Sequence, residues 1–250
     1  MRKQLLILLL LFGLGSEISA QLNTTADFKR SVYDREYTIG VSGHSRGYTL
    51  NGRYQKHIDG YTKRGLEIDL AKLRHPKEVR SSILSSNSRG FVYARINSFY
   101  TLRAGFIQEK ILFDKTDQGS VSISLVTSGG LSLGLLKPVY VIVLEANGDG
   151  TISTREERYN PFEQEGSITG EASWFSGFFE TNFRPGIYGK IGTAFDYDFL
   201  DSKVTSLETG IIYDFFFADV PVFDERSNVD INIPGFFQVY LTFNFGYKKN

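Results

Sequence analysis

The sequence predicts an all-β chain closed into an antiparallel transmembrane β-barrel of eight strands, and three observations carry that prediction. Apolar residues alternate with small polar ones over eight stretches of strand length. The links between them alternate between short turns and long loops, with three long loops on one rim. The polar rows consist of Ser, Thr, Gly, Gln and Asn, with only scattered charges. Strict alternation marks strands with two different faces. A soluble sandwich would turn its polar face to water, where Lys and Glu dominate. Small uncharged residues suit the crowded interior of a narrow barrel, and a row of Phe, Leu, Ile, Val and Tyr suits lipid. A soluble secreted β-protein is the competing fold.

The N-terminus has to be set aside first. Met1 to Gln4 is a basic n-region, Leu5 to Leu14 is apolar except for Gly13, and Gly15 to Ala20 supplies small residues for cleavage. This is the pattern of a secretory signal peptide, with cleavage expected after Ala20. The apolar run is shorter than the roughly 20 residues of a spanning helix. Residues 1–20 are thus read as the signal peptide, 21–35 as an N-terminal periplasmic segment, and 36–250 as the barrel, located in the bacterial outer membrane. Leu131 to Leu144, the most apolar later stretch, is broken by Lys137 and Pro138.

The strands follow in order at about 36–44, 47–55, 61–71, 99–110, 121–135, 185–198, 205–215 and 237–245. The last is the clearest: Phe237, Val239, Leu241, Phe243 and Phe245 share one face, opposite Gln238, Tyr240, Thr242, Asn244 and Gly246. Short turns fall at Ser45-Arg46, His57 to Gly60, Asp114 to Gly119 and Leu200 to Ser202. Long connections fall at 72–98, 136–184 and 216–235. Short turns on one rim with long loops on the other match outer-membrane barrels. Ten strands is the alternative count, because Phe91–Ile96 and 139–144 also read as extended.

Charge and composition exclude several classes. Twenty-eight Lys and Arg balance 28 Asp and Glu, so no strong field argues for nucleic acid. With no cysteine there is no disulfide scaffold, thiol nucleophile, thiolate metal site or N-terminal lipid-anchored Cys. The balance is local as well as global. Residues 71–98 carry six bases against Glu78, whereas 145–180 carry eight acids against Arg155 and Arg158. Either the basic loop forms a patch for lipopolysaccharide phosphates or a partner under an acidic lid, or the two loops pack on each other across the mouth. The favoured reading is packing. Trp174, Phe175, Phe178 and Phe179 suggest a short amphipathic helix that helps close the mouth or lies at the membrane interface.

Six charged residues occupy inferred interior positions: Glu67, Asp69, Arg103, Lys190, Asp196 and Glu208. An isolated buried charge costs several kcal/mol, so these are expected to form a paired network; a selectivity lining is the alternative, and it needs a lumen that eight strands rarely leave open. Residues 145–156 follow the twelve-residue calcium-loop pattern, with oxygen side chains on Glu145, Asn147, Asp149, Thr151, Ser153 and Glu156 and Gly150 at the sharp turn. Glu145 stands where Asp is usual, and no entering helix precedes it, so a solvated turn competes with calcium. No other cofactor is expected. Ser42 and His44 share one strand face with Glu36 nearby, but no acidic partner can be assigned and no residue is taken as catalytic.

The sequence also resembles an uncharacterised family of outer-membrane β-barrel proteins of Bacteroidota. The resemblance is carried by Leu73-Arg-His-Pro-Lys-Glu-Val-Arg80, Phe91-Val-Tyr93 with Asn97-Ser98, Leu102-Arg-Ala-Gly105 and Ser128-Gly-Gly130. It continues in Leu133-Gly-Leu-Leu-Lys-Pro138, Arg184-Pro-Gly-Ile187, Leu207-Glu-Thr-Gly210 and Leu241-Thr-Phe-Asn-Phe-Gly246. It covers most of residues 60–246 and implies location and architecture without an activity. The chain runs past Phe245 and Tyr247 to Lys248-Lys249-Asn250, where such barrels commonly end on an aromatic residue. The expected function is therefore a structural, accessory or loop-mediated binding role. A small solute pore and a lipid-active hydrolase of the deacylase kind are the alternatives. Outer-membrane lipid and an outer-membrane protein complex are the expected partners.

Overall fold

Alternation at period two places successive side chains on opposite faces of a strand, and here it is sustained long enough to close a sheet. A computed structural model describes residues 34–74, 80–81, 91–92, 94–114, 121–146, 151–161, 167–197, 203–223 and 232–249. The expected signal peptide lies outside them. In chain order the strands are β1 (Arg35–His44), β2 (Gly47–His57), β3 (Thr62–Leu73), β4 (Arg80–Ser81), β5 (Phe91–Val92), β6 (Asn97–Phe113), β7 (Ser122–Pro138), β8 (Tyr140–Ala146), β9 (Ile152–Arg158), β10 (Ser167–Glu171), β11 (Asn182–Asp196), β12 (Lys203–Phe216) and β13 (Gly235–Lys249).

Eight of these close into one antiparallel barrel in the order β1-β13-β12-β11-β7-β6-β3-β2, with β1 and β2 joining the ends. The eight-strand reading holds. The extra stretches that suggested ten are extended but lie outside the wall: β5 pairs with β4, and β8 is the centre of a three-stranded sheet, β10-β8-β9. Val139, Val141, Val143 and Tyr159 pack together beneath that sheet, with Ile168 against them. Alternation records two faces but not which strand comes alongside, so it could not separate wall from loop.

Some barrel strands outrun the alternation at the short-turn rim, as β13 does to Lys249, while β3, β7 and β11 outrun it toward the long-loop rim; β6 and β7 reach 17 residues each. The inward row turns apolar there, so contrast between the faces fades while the ladder continues. Phe99, Leu136, Phe216 and Phe236 point inward and meet Ala71, Leu73, Val92, Val220, Val222 and Phe223 in one buried cluster. This plug closes the interior below the long loops. Pro185 sits within β11 without breaking it. Its carbonyl accepts from Phe217 N–H at 3.0 Å, so its missing donor faces the side on which β12 has already ended. The β1–β2 hairpin turns on Ser45 and Arg46, and Gly47 follows at φ 149°, where a Cβ would strike the Lys72 carbonyl.

The plug sets a testable cost. Phe216 is fully buried, with its ring edge-on to Phe99 at 5.3 Å and to Phe236 at 6.0 Å. Phe216→Ala should destabilise the barrel by about 3–5 kcal/mol, read as a lower urea midpoint. An unchanged midpoint would show that the plug is not a packed core.

Candidate functional site

Among the described residues the interior holds the most elaborate polar arrangement, and it is built by strand parity. Every second residue of β2, β3, β6, β11, β12 and β13 points inward, which brings Arg53, Glu67, Asp69, Arg103, Lys190, Glu208, Asp214 and Gln238 into one buried column. Between Lys190 on β11 and Arg103 on β6, β7 contributes Ser124, Ser128, Gly130, Ser132 and Gly134, which leave room for long side chains.

Two cations and two anions form the central ring. Arg53 donates through Nε to Glu67 Oε2 at 2.6 Å and through Nη1 to Glu208 Oε2 at 2.5 Å. Lys190 Nζ donates to Glu67 Oε2 at 2.7 Å and lies 3.5 Å from Glu208 Oε1. Remaining carboxylate lone pairs are met by neutral donors: Tyr240 Oη–H to Glu208 Oε1 at 2.7 Å, and Ser128 Oγ–H to Glu67 Oε1 at 3.0 Å. Toward the plug lies a second set. Arg103 grips Asp214 with two parallel hydrogen bonds of 2.8 and 2.7 Å, and its Nη1 is 3.6 Å from Asp69 Oδ2. Gln238 completes it, accepting from Arg103 at 3.2 Å and donating to Asp214 at 2.6 Å. Bidentate pairing of this kind fixes geometry as well as charge.

A third set lies at the short-turn end, where Lys63 Nζ is 3.0 Å from Glu36 and 3.3 Å from Glu109, and His57 Nε2 is 3.4 Å from Glu36. Asp196 reaches this set, lining a cavity of about 10 Å³ with Glu36, Lys63 and Glu109. Thus Glu67, Lys190 and Glu208 meet in one group, Arg103 and Asp69 in another, and Asp196 belongs to the third. Sequence reading names Glu36 only beside Ser42 and His44, and it passes over Arg53, Lys63, Glu109 and Asp214. Asp214 has the parity of Glu208, and Arg53 that of its inward neighbours Asn51 and Gln55, so parity alone could have found both. Lys63 has the parity of Glu67 and Asp69 on β3, whereas Arg64 is in step with outward Leu66 and Ile68, so parity could have found Lys63 as well.

The calcium-pattern residues are placed differently. Glu145 lies in β8, Ser153 and Glu156 lie in β9, and Thr151 immediately precedes β9, whereas Asn147 and Asp149 fall outside the described residues. In this hairpin Glu145 faces Ser153 and Glu156 faces Ile142. The two terminal glutamates therefore sit three rungs apart on opposite faces, and the register does not bring them together. Glu156 accepts from Ser176 Oγ–H at 2.8 Å, and Glu145 is 3.8 Å from Arg155. Among the described residues no cluster of three or more His, Asp or Glu side chains is arranged to hold a metal. Ser42, His44 and Glu36 each have their own partners. Ser42 Oγ accepts from Thr242 at 2.9 Å, His44 Nδ1 accepts from Arg46 N–H at 3.3 Å, and Glu36 is taken up by Lys63 and His57.

Over the plug, the basic and acidic loops meet at Arg95 Nη2 and Glu171 Oε1, 3.0 Å apart, and Ala94 N–H donates to Tyr159 Oη at 3.2 Å. Trp174 to Glu180 form tight turns ending in one 3-10 turn, Phe178–Glu180, without an amphipathic helix.

No protein-family model matches the sequence, and no curated protein does either. The likeness to the Bacteroidota barrel family stands on its motifs alone. Among solved structures the chain is similar to neisserial surface protein A, at 11% identity and a TM-score of 0.41, over 86% of this chain and 96% of that one. It is also similar to the N-terminal β-barrel domain of Pseudomonas aeruginosa OprF, at 7% identity and a TM-score of 0.33, over 86% and 97%. A third is Ail, the attachment invasion locus protein of Yersinia pestis, in complex with the heparin analogue sucrose octasulfate, at 12% identity and a TM-score of 0.32, over 86% and 95%.

The interior pairing predicts a double-mutant result. Arg103→Met strands the buried Asp214 carboxylate and should cost about 3–5 kcal/mol, whereas adding Asp214→Leu should restore much of the loss. Unfolding midpoints of the two single variants and the double variant measure it. Additive losses would show that the pair is not coupled.

Proposed function

We propose that the chain is an integral barrel of the bacterial outer membrane, non-conducting and non-catalytic, whose wall anchors the loop surface it presents. One observation carries this reading: an apolar belt surrounds the barrel and is bounded on each side by aromatic and basic residues in register.

All eight barrel strands expose large apolar side chains, among them Ile39, Leu50, Ile68, Phe106, Leu131, Ile191, Ile211 and Phe243. Soluble monomers rarely expose contiguous apolar patches beyond a few hundred Å², whereas a membrane barrel requires such a band. At the short-turn end, Tyr247, Tyr37 and Tyr54 face one another across β13, β1 and β2, with Tyr37 5.1 Å from Tyr54 and 5.4 Å from Tyr247 between ring centres. Two residues further out, Lys249, Arg35, Lys56 and Arg64 form a basic row across β13, β1, β2 and β3. Tyrosines with bases beyond them are the signature of a lipid–water boundary, where the ring sits at headgroup level and the cation reaches phosphate.

At the long-loop end the matching row is Phe183, Leu135, Tyr100, Lys72 and Tyr48, in register across β11, β7, β6, β3 and β2. On β3 the outward residues between Arg64 and Lys72 are Gly65-flanked Leu66, Ile68 and Leu70. Eight residues advance about 26 Å along a strand, or about 20 Å along the axis at a tilt near 40°. With both cations reaching outward, this matches an apolar band of about 25 Å.

The filled interior and the apolar plug support a closed barrel over a solute pore, and the separate engagements of Ser42, His44 and Glu36 support a role other than hydrolysis. The motif run from Leu73 to Gly246 supports kinship with barrels of Bacteroidota, and the loop surface leaves room for an outer-membrane protein partner.

Expressed in a Gram-negative host, the full chain should fractionate with the outer membrane, resist carbonate extraction and migrate faster on gels unboiled than boiled. Complete release by carbonate would refute the membrane reading. In planar bilayers the purified barrel should give no discrete conductance steps, and a stable open level would replace the closed barrel with a pore.

A further inference from the structure

The aromatic segment that follows β10 is fastened to the outside of the barrel. Trp174 Nε1–H donates to Tyr100 Oη at 2.8 Å, with the two rings edge-to-face at 6.3 Å. Tyr100 faces outward on β6, in the same row as Lys72 and Phe183, and Lys72 Nζ lies 5.5 Å above its ring. Phe175 and Phe178 gather around Trp174 at 5.2 and 5.5 Å. Yet Phe175 is 75% exposed and Phe179 is 99% exposed.

Such exposure is not that of a loosely held loop, because the segment's polar groups are tied back. Gly177 takes φ 75°, and a Cβ there would strike the Tyr140 ring. Glu180 accepts from Tyr140 Oη–H at 2.7 Å, Ser176 donates to Glu156, and Thr181 Oγ1–H donates to the Phe178 carbonyl at 2.6 Å. The result is a braced finger with uncovered aromatic tips and its carboxylate turned to a neighbour.

We infer that residues 174–179 form a membrane-interface anchor whose occupant is the lipid leaflet at the long-loop rim. The inference rests on the membrane reading above and adds a lipid contact outside the barrel wall. Continuity selects lipid as the occupant: the finger is rooted on Tyr100, in the boundary row of the apolar belt, and Phe183 carries that belt directly up to it along β11. Lys72 beside the root supplies a cation for an anionic headgroup. Trp and Tyr, here Trp174 on Tyr100, are the side chains favoured at this depth of a bilayer, and lipid contact removes from water the apolar surface that Phe175 and Phe179 leave exposed.

The chain has one tryptophan and no cysteine, so both reporters are unique. In full-length protein reconstituted into phosphatidylcholine vesicles, Trp174 should be quenched several-fold more by lipids brominated near the glycerol than by those brominated near the chain ends. The Phe175→Ser/Phe179→Ser double variant should lose much of that quenching. A spin label on Phe179→Cys, a fully exposed site that the fold does not need, should be more accessible to oxygen than to an aqueous nickel chelate. If the barrel is carbonate-resistant and heat-modifiable but the label favours nickel, the anchor is refuted while the membrane reading survives. A label shielded from both reagents, with cross-linked dimers, would replace lipid by a second copy of the chain. A chain that never inserts would overturn both readings.

Discussion

An eight-stranded barrel has an interior only wide enough for its own side chains, and this limits every inward residue. A charge placed there has no water to retreat to, so it must find an opposite charge on another strand of the same wall. Arg53 and Lys190 meet Glu67 and Glu208 within 3.5 Å, and Arg103 closes on Asp214 with Gln238 alongside. The bulk of these side chains is offset by β7, whose inward row is Ser, Gly and one Val along most of its length. Gly134 shows how close the fit is, since a Cβ there would press on the rings of Phe99 and Phe216. Charge pairing and volume matching are therefore one requirement imposed by closure.

The same wall changes character along its length, and this change ties the loops to it. Toward the short turns the inward row is mainly polar, with Ile107, Val126 and Ala194 forming one small apolar patch; toward the long loops it becomes Phe99, Leu136, Phe216 and Phe236. Val220, Val222 and Phe223 of the last long loop fold in on that surface. Their backbone is held in turn: Asn232 Oδ1 accepts from Val222 and Phe223 N–H at 3.1 and 3.3 Å, and Asn97 donates to the Pro221 carbonyl at 2.8 Å. The β8–β10 sheet stands next to this plug through Arg95–Glu171 and Ala94–Tyr159. The described parts of the long loops thus extend the packed interior, which gives the barrel a fixed surface to present.

The wall was legible from alternation, and so was the polarity of each face, because a period-two pattern cannot slip by one residue without exposing its apolar set to the wrong side. What alternation lacks is partner information. Residues 139–144 are as extended as a wall strand but pair with β9 and β10 in a separate sheet. Parity turns Lys63 inward with Glu67 and Asp69, but it does not say that Lys63 meets Glu36 of β1 and Glu109 of β6. The spacing of oxygen-bearing residues at 145–156 likewise carries no register, and only the ladder places Glu145 and Glu156 on opposite faces of the hairpin. Opposite loop charges were visible in composition, whereas the particular contact between Arg95 and Glu171 depends on how β6 and β10 are placed.

Closure also determines where recognition can reside. The inward polar groups are largely committed to one another, and the outward face of the wall is an apolar belt whose boundary rows can select a lipid–water interface but little else. Any finer selectivity has to come from the rim. At the short-turn end the rim offers a row of bases, a feature that recognises charge without shape. At the other end, the β1–β2 turn is only two residues and lies close to the wall. The shaped features among the described residues are the β8–β10 sheet and the braced aromatic finger beside it, joined through Tyr140–Glu180 and Glu156–Ser176. A partner that distinguished this barrel from another of equal strand number would have to read that sheet and finger, because closure makes the rest of the wall generic.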